Sequence, residues 1–329
     1  MAAPVFIALI LGGLVVLLFG GDLLVRGGAG LARIWKLPPL LVGLTIVAFG
    51  TSAPELVVSI QSALSGAPGL ALGNIVGSNT ANFLLILGLP AIFGPIATTT
   101  SGVRRNAIFA LLAALALIAV SWDRTISPVE SAILFALIIA YIALLGFLAS
   151  RKSDDPSIAE LTDLEHMDGL PRGVGRSALA VLAGLIALPV GAHMIVTGGT
   201  EAAATFGIDE AIIGLTAVAF GTSLPELATV VMASIRRQAE LAIGNVLGSN
   251  IFNVFAVGGA TGLAASATGH DLPVPEGFFS LDLWVMLGAS VAIAGLILAQ
   301  RPISRIVGLV LFAAYVTYIV VLARSVIGG

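Results

Sequence analysis

Residues 43–56 read GLTIVAFGTSAPEL, and residues 214–227 repeat them as GLTAVAFGTSLPEL, with 12 of the 14 positions identical. Each copy places a Pro-Glu pair inside a hydrophobic run, at Glu55 and Glu226. Carboxylates in apolar surroundings are costly and usually mark ion or proton pathways. The duplication therefore indicates a cation site that is built twice, once from each half of the chain.

The composition predicts a membrane protein. Of the 329 residues, 58% are hydrophobic and only 10% are charged, whereas soluble domains carry about 25% charged residues. The net charge of −3 gives no indication of nucleic-acid binding. The absence of cysteine excludes disulfides and thiolate metal ligands. We therefore expect a chain embedded in a lipid bilayer, with no resident cofactor.

Hydropathy breaks at charged or Pro/Gly clusters predict ten transmembrane helices and an all-α fold. The predicted spans are 4–25, 39–64, 69–94, 104–121, 127–149, 174–197, 210–235, 240–264, 281–299 and 303–323. The N-terminal run lacks the basic leader of a signal peptide and is expected to be a retained helix. The predicted organisation is a first five-helix repeat (1–150), a cytoplasmic acidic linker (151–173) and a second five-helix repeat (174–329).

Basic residues give the orientation of these helices. With the N-terminus extracytoplasmic, 13 of the 15 Lys and Arg residues fall in cytoplasmic loops, and only Arg124 and Arg324 lie on the opposite side. This distribution follows the positive-inside rule and places both termini outside. Because five is odd, the second half enters the membrane from the opposite side. The halves are therefore predicted to be inverted repeats.

The prolines beside the two glutamates predict broken helices. Pro54 and Pro225 supply no N–H, so each leaves the carbonyl four residues earlier without its helical partner. Broken helices at membrane depth are tolerated where they line a cavity or are buried in protein. We therefore predict that helices 2 and 7 are broken, with their freed carbonyls available to a cation.

A second repeated motif supplies neutral oxygen ligands. GNIVGSNTAN begins at Gly73, and GNVLGSNIFN begins at Gly244, at the same 171-residue offset. Residues 74, 78 and 82 are spaced by four and form one polar stripe on a helix. Together with the carboxylates these give an oxygen-only set, which suits hard cations such as Ca²⁺ and disfavours zinc or copper. The same cluster could hold several Na⁺ ions. The polar residues of this motif are Asn74, Ser78, Asn79 and Asn82 in the first copy, and Asn245, Ser249, Asn250 and Asn253 in the second.

At these residues the chain resembles the cation/calcium exchanger superfamily, in its prokaryotic sodium/calcium exchanger branch. GTSAPEL with GNIVGSNTAN and GTSLPEL with GNVLGSNIFN are similar to the two α-repeats of that family. The resemblance implies exchange of Na⁺ for Ca²⁺ by alternating access, with helices 1 and 6 sliding past the other eight. It implies Glu55 and Glu226 as the central Ca²⁺ ligands.

The resemblance also implies the rest of the ion site. The backbone carbonyls of Thr51 and Thr222 would assist the glutamates, and Asn82 and Asn253 would close the middle of the cluster. One departure stands out, because many family members carry Asp at the position of Asn253. The implied Na⁺ ligands are the carbonyls of Ala48 and Ala219 and oxygens of Thr51, Ser52, Ser78, Thr222, Ser223 and Ser249.

The functional expectation is a secondary active antiporter of a prokaryotic plasma membrane that extrudes Ca²⁺ in exchange for Na⁺. The alternative is a proton/cation exchanger that uses the same two glutamates as proton carriers. An enzyme is not expected, since no second intramembrane aspartate accompanies Asp22 and no serine-protease or metalloprotease pattern is present. A monomer is the simplest oligomeric state.

Overall fold

A computed structural model describes residues 3–100, 102–151, 171, 173–205 and 210–327. Side chains are described for these residues except 3–4, 149–151, 203–204, 210–220 and 325–327. Most of the predicted linker, 151–173, lies outside the described residues.

Long helices make up almost all of the described chain. Helices that continue through a π turn are treated as one, and a bent pair is given a single label. Their bounds are α1 Ala3–Trp35, α2 Pro39–Thr51 with Ala53–Leu64, α3 Pro68–Phe93, α4 Val103–Val120, α5 Pro128–Arg151, α6 Val174–Thr205, α7 Glu210–Ile235, α8 Ala239–Ser266, α9 Phe278–Leu298 and α10 Arg305–Ile327. Within the described residues, eight helices are long and apolar enough to cross a membrane, and the bent pair α2 makes nine.

Helices α1 and α6 continue eight or more residues beyond the ends that hydropathy predicts. The first helix was predicted to end at residue 25 and ends at Trp35, and the sixth was predicted to end at 197 and ends at Thr205. In α1 the extra turns carry basic residues on one side, while Ala29 and Ala32 are buried on the other. Burial against the protein therefore continues the helix beyond the apolar stretch.

The two helices that carry the Pro-Glu pairs differ from each other. As predicted, α2 is broken: it bends by 42° at Ser52, and Pro54 lies in the first turn of its second segment. The predicted break in helix 7 is wrong, because α7 runs from Glu210 to Ile235 without interruption and contains Pro225 in its interior. Membrane helices tolerate an interior proline where neighbouring groups satisfy the freed carbonyl.

Helices α1 and α6 pack along each other over most of their length. A methyl group on Gly13 would lie 2.8 Å from the carbonyl oxygen of Gly191, and one on Gly184 would lie 2.8 Å from that of Gly20. Contacts of 13 with 191 and of 20 with 184 require the two helices to run antiparallel. Glycines at these points allow the backbones to touch, as small residues do in membrane helix pairs.

The centre of the molecule is formed by α2, α3, α7 and α8. Helices α3 and α8 are the most enclosed of the candidate spans. The first segment of α2 lies directly on α8, where a methyl group on Gly43 would meet the carbonyl of Leu241 at 2.9 Å. Exposed apolar side chains concentrate on peripheral helices instead, as lipid contact requires. Examples are Phe19 on α1, Ile139 on α5, Leu182 on α6 and Val310 on α10.

Short extended contacts join loops at the ends of the helices. Strand β1 (Thr125–Ile126) pairs antiparallel with β2 (Leu272–Pro273), which joins the α4–α5 and α8–α9 loops. Ile96 and Ile303 form a bridge through two backbone hydrogen bonds of 3.0 Å, which joins the α3–α4 and α9–α10 loops. In each case the paired loops are ones that the basic-residue distribution assigns to the same side of the membrane.

Candidate functional site

The break in α2 presents Glu55 at the start of a helix. Ser52 lies between the two segments with φ −85° and ψ 4°, and Glu55 follows in the first turn of the second segment. A helix N-terminus carries partial positive charge and unpaired N–H groups, so it favours an anionic side chain there. Glu55 is 1% exposed, and neither of its carboxylate oxygens accepts a hydrogen bond.

Glu226 approaches the same place from α7. Its side chain is fully buried, and Oε1 accepts a hydrogen bond of 3.2 Å from Ser52 Oγ at the α2 break. Oε2 has no hydrogen-bond partner. The carboxylates of Glu55 and Glu226 are close enough to repel each other electrostatically. The structure therefore brings the two predicted glutamates together from different halves of the chain.

Two threonines cross between the halves in a symmetric way. Thr51 Oγ1 donates to Asn245 Oδ1 on α8 at 3.2 Å, and Thr222 Oγ1 donates to Asn74 Oδ1 on α3 at 3.1 Å. These pairs are related by the 171-residue offset. Each of these hydroxyls therefore donates to an amide oxygen on a helix of the opposite half. The hydrogen bonds of Asn74 and Asn245 are thus those of residues that hold the two threonines in place.

Asn74 is held more firmly than Asn245. Asn74 Nδ2 donates to the backbone carbonyl of Glu55 at 3.1 Å and to Ser59 Oγ at 2.9 Å. Asn245 Nδ2 has no hydrogen-bond partner although the residue is fully buried. The position equivalent to Ser59 in the second half is Val230, which cannot accept a hydrogen bond. The second half therefore lacks one of the supports that the first half has.

A chain of amides connects α3 to α8 beside the glutamates. Asn82 Nδ2 donates to Asn250 Oδ1 at 2.7 Å, and Asn250 Nδ2 donates to the carbonyl oxygen of Asn79 at 3.2 Å. Asn82 Oδ1 has no partner, and neither side-chain atom of Asn253 has one. All four asparagines are at most 3% exposed.

The remaining predicted ligands lie in the same buried region. Ser249 is fully buried, with its Oγ 3.5 Å from Thr51 Oγ1. Ser78 is 2% exposed and its Oγ has no partner, and Ser223 is also buried. The carbonyl of Ala48 accepts bonds from Ser52 N at 3.0 Å and Thr51 Oγ1 at 3.4 Å. Ala219 lies in α7, in the stretch whose side chains are outside the described residues.

The cluster has more buried acceptors than donors. Unpartnered oxygens occur on Glu55, Glu226, Ser78, Asn82 and Asn253. A buried polar atom without a partner costs about 1–3 kcal/mol, and such atoms in a native protein require an explanation. A cation coordinated by these oxygens would satisfy them together. Within the described ranges no three His, Cys, Asp or Glu side chains group together, so neutral oxygens must complete any such coordination.

Sequence reasoning missed two features of this site. It placed Asn250 on helix 8 among the polar residues of the second motif and gave it no specific role. It also gave no sign that π turns begin at Asn82 and Asn253, over Asn82–Ile86 and Asn253–Gly258. Single π turns in α-helices occur frequently at functional sites. Asn250 corresponds to Asn79, and the two π turns begin at equivalent residues, so the 171-residue offset is the signal that could have drawn attention to these positions.

A separate polar contact involves Asp22 of α1. Asp22 forms ion pairs with Arg26, at 2.8 Å between Oδ2 and Nε, and with Arg236 just beyond the end of α7. The residue at the equivalent position in the second half is His193, which is exposed. Asp22 therefore joins α1 to the α7–α8 corner, a contact for which sequence analysis gave no indication.

The protein-family model described as sodium/calcium exchanger protein matches residues 5–147 and 176–324. The inner membrane protein YrbG of Escherichia coli K12 is 35% identical over 318 residues, which cover 96% of each chain. The sodium/calcium exchanger MaX1 of Methanosarcina acetivorans is 31% identical over 348 residues, with 96% of this chain and 98% of MaX1 covered. The solved structure of the sodium-calcium exchanger NCX_Mj aligns with a TM-score of 0.79 at 31% identity, covering 96% of this chain and 97% of that one.

Proposed function

The chain belongs to the sodium/calcium exchanger protein family of membrane transporters, and we propose that it exchanges Na⁺ for Ca²⁺ across the membrane by alternating access. The observation that carries the proposal is the pairing of two buried, incompletely hydrogen-bonded carboxylates, Glu55 and Glu226, in a cluster of neutral oxygens. Two carboxylates neutralise one Ca²⁺, and the surrounding hydroxyls and amides supply the remaining oxygens that Ca²⁺ takes.

Competition for these carboxylates explains why the two ion fluxes are coupled. Burying two like charges close together is unfavourable unless a cation or a proton compensates them. The site can therefore close only when it is occupied and neutral. Ca²⁺ and Na⁺ replace one another at the same glutamates, and the energy of one gradient drives movement of the other ion. If each cycle moves net charge, the membrane potential contributes about 2.3 kcal/mol per elementary charge per 100 mV. The transport rate should therefore depend on voltage.

The proposed ligand set is the one implied by the family resemblance. Glu55 and Glu226 hold Ca²⁺ with the carbonyls of Thr51 and Thr222, and Asn82 and Asn253 close the middle of the cluster. Their support comes from the shared burial and from the hydrogen bonds that join Thr51 and Thr222 to amides of the opposite half. The proposed Na⁺ ligands are the carbonyls of Ala48 and Ala219 and oxygens of Thr51, Ser52, Ser78, Thr222, Ser223 and Ser249, with Asn253 beside them.

We also propose ten membrane spans arranged as two inverted halves, 1–150 and 174–329. The antiparallel course of α1 and α6 supports this arrangement, because these are the first helices of the two halves. The two loop–loop contacts support the alternation of sides. With basic loops in the cytoplasm, both termini are extracytoplasmic, and exchange in a prokaryotic plasma membrane normally extrudes Ca²⁺.

The test is Ca²⁺ uptake into Na⁺-loaded proteoliposomes. We expect uptake with the wild-type protein, and near-complete loss with Glu55→Gln or Glu226→Gln, because each change removes one of the two charges that hold Ca²⁺. The control is Glu276→Gln, which makes the same chemical change at a carboxylate that is 79% exposed and paired with Arg124. Uptake that persists in both Glu55→Gln and Glu226→Gln would contradict the proposal.

Proton-coupled exchange is the second candidate, and one observation favours keeping it. The described site contains two carboxylates and no third acid, and protons can neutralise this pair as Na⁺ can. The same vesicles distinguish the candidates. Uptake driven by a pH gradient in Na⁺-free buffer would favour proton coupling, whereas uptake that requires internal Na⁺ supports sodium/calcium exchange.

A further inference from the structure

Asn250 on α8 holds the amide of Asn82 in one orientation. Its Nδ2 donates to the backbone carbonyl of Asn79 at 3.2 Å, and its Oδ1 accepts from Asn82 Nδ2 at 2.7 Å. Asn250 is 2% exposed and Asn82 is 1% exposed, so water does not compete at either end. The contacts link Asn79 and Asn82 of α3 through a single side chain of α8.

The backbone carbonyl of Asn79 determines the orientation of both side-chain amides. A carbonyl oxygen can only accept, so the side-chain atom of Asn250 that faces Asn79 must be the nitrogen. The oxygen of Asn250 therefore faces Asn82, and Asn82 must present its own nitrogen. Turning either amide over would place two acceptors against each other. The consequence is that Asn82 Oδ1 points away from Asn250, buried and without a donor.

The equivalent contact is absent in the other half. Asn79 occupies the position that corresponds to Asn250, but its Nδ2 donates to the carbonyl of Ile75 on its own helix at 2.7 Å. Neither amide atom of Asn253, the counterpart of Asn82, has a partner. The described structure thus fixes one of the two central amides and leaves the other able to present either its oxygen or its nitrogen.

We propose that Asn250 is a positioning residue that keeps the amide oxygen of Asn82 turned toward the transported cation. Asn250 contacts no ion itself; it acts through Asn82. The inference rests on the proposed function, since it assumes that Asn82 Oδ1 is a cation ligand. Ser78, one helical turn before Asn82, has an Oγ that is likewise buried without a partner, and the two oxygens lie on the same helix face.

The variant that tests this is Asn250→Leu, which keeps the side-chain size and removes both hydrogen bonds. Without Asn250, the amide of Asn82 is free to turn its nitrogen toward the site. We expect the apparent KM for Ca²⁺ in Na⁺-driven uptake to rise about tenfold, the cost of one lost ligand contact, with a smaller change in maximal rate. The matched control is Thr80→Val. Thr80 is a buried residue of α3 between Asn79 and Asn82, and its hydroxyl bonds only to the carbonyl of Val76 in the same helix. The KM of this variant should stay near the wild-type value.

A double-mutant cycle separates positioning from a general structural role. If Asn250 acts through Asn82, then Asn250→Leu should have little further effect on KM in an Asn82→Ala background, because the ligand it orients is gone. An unchanged KM in folded Asn250→Leu would overturn the proposal, as would an equal effect in both backgrounds. If Asn250→Leu does not fold, Asn250→Ala removes the same two bonds and enters the same cycle.

A direct binding measurement keeps this inference distinct from the proposed function. Equilibrium binding of ⁴⁵Ca²⁺ to purified wild type, Asn250→Leu and Thr80→Val requires no transport. Absence of Na⁺-driven uptake in the wild type would refute the exchange proposal alone. A tenfold weaker binding to Asn250→Leu would still support the positioning role, and equal binding by the three proteins would refute it.

Discussion

The two halves of the molecule carry nearly the same motif and build it differently. In the first half, α2 breaks at Ser52 and bends by 42°, so that Glu55 begins a new helical segment. In the second half, α7 continues through Pro225, and Glu226 lies in a helix interior. A proline in the first turn of a helix costs little, whereas one in the interior removes a hydrogen bond. The same Pro-Glu pair therefore has two backbone environments.

The polar residues around the glutamates differ in the same way. The first half has the better-satisfied amides: Asn74 bonds to three partners, and Asn82 is oriented by Asn250. In the second half, Asn245 has an unpartnered nitrogen and Asn253 has no partner at all. Single-residue differences such as Ser59 against Val230 account for part of this. Sequence duplication has preserved the types of the polar residues but not their hydrogen bonding.

This asymmetry is what an exchanger of two inverted halves requires. If both halves had the same conformation, neither side of the membrane would be favoured for opening. Different conformations of the two halves open one side, and exchanging those conformations opens the other. On the proposed function, the bent α2 and the continuous α7 are the two members of such a pair. The unsatisfied groups of both halves are then those that ion binding or a conformational change would satisfy.

The largest expected difference between the halves comes from adding a carboxylate at the centre. In Asn82→Asp, a carboxylate oxygen replaces the nitrogen that lies 2.7 Å from Asn250 Oδ1, so two acceptors face each other. We expect Ca²⁺ uptake to fall by at least about a hundredfold, since a buried charge without its proper partners costs about 3–5 kcal/mol. In Asn253→Asp no hydrogen bond is lost, and the additional charge should strengthen Ca²⁺ binding several-fold.

Uptake assays over a range of Ca²⁺ concentrations, with both variants shown to elute as folded protein, test this pair. The order of the two effects is the decisive result. If Asn82→Asp and Asn253→Asp change the Ca²⁺ dependence equally, then the orientation imposed by Asn250 has no functional importance and the two amides are equivalent.

The next expected difference concerns the supporting amides. Asn74→Ala removes three hydrogen bonds of about 1 kcal/mol each, so the free energy of unfolding should fall by about 2–3 kcal/mol. Asn245→Ala removes the bond from Thr51 together with a nitrogen that has no partner, and should cost about 1 kcal/mol or less. Unfolding in mixed detergent micelles measures both.

A third variant shows whether one residue explains the difference between these amides. Ser59→Val gives the first half the residue found in the second, and should cost about 1 kcal/mol by removing one acceptor of Asn74. Equal destabilisation by Asn74→Ala and Asn245→Ala would show that the additional hydrogen bonds of Asn74 contribute nothing to stability.

Much of this architecture could be predicted from the sequence, because it depends on local composition and on the repeat. Apolar runs located the helices, and the 171-residue offset identified the two glutamates that the structure brings together. Family membership also confirms a transporter and not an enzyme. What local rules could not distinguish was Pro54 from Pro225, since the surrounding residues are nearly identical. The two positions differ in their tertiary neighbours: a methyl group on Gly50 would meet Leu185, and one on Gly221 would meet Val196.

The hydrogen-bond partners were beyond prediction for a similar reason. Asn250 contacts Asn82 because α8 packs close to α3 at these residues. The periodicity of residues in one helix does not predict its distance from another helix. The C-terminal end of α1 was predicted too early because hydropathy treats Arg26 and Arg33 as the end of a span. The opposite face of the helix remains buried beyond that point. The sequence thus identified the candidate ligand residues, while the orientation of their side chains required the tertiary structure.

The smallest expected difference is between Asp22 of α1, which forms ion pairs, and its counterpart His193 of α6. Asp22 contacts Arg26 and Arg236, with 15% of its side chain exposed. Its counterpart His193 is exposed, and the position matching Arg236 is Ser65, which is also exposed. Asp22→Asn should lower the free energy of unfolding by about 1–2 kcal/mol, between the values for exposed and buried ion pairs. His193→Asn should change it by no more than about 0.5 kcal/mol. Raising the salt concentration should reduce the first effect only partly, because the pair is largely shielded from solvent. If the two variants have the same stability, the ion pair does not hold α1 to the α7–α8 corner, and the asymmetry between the halves is confined to the cluster of buried oxygens.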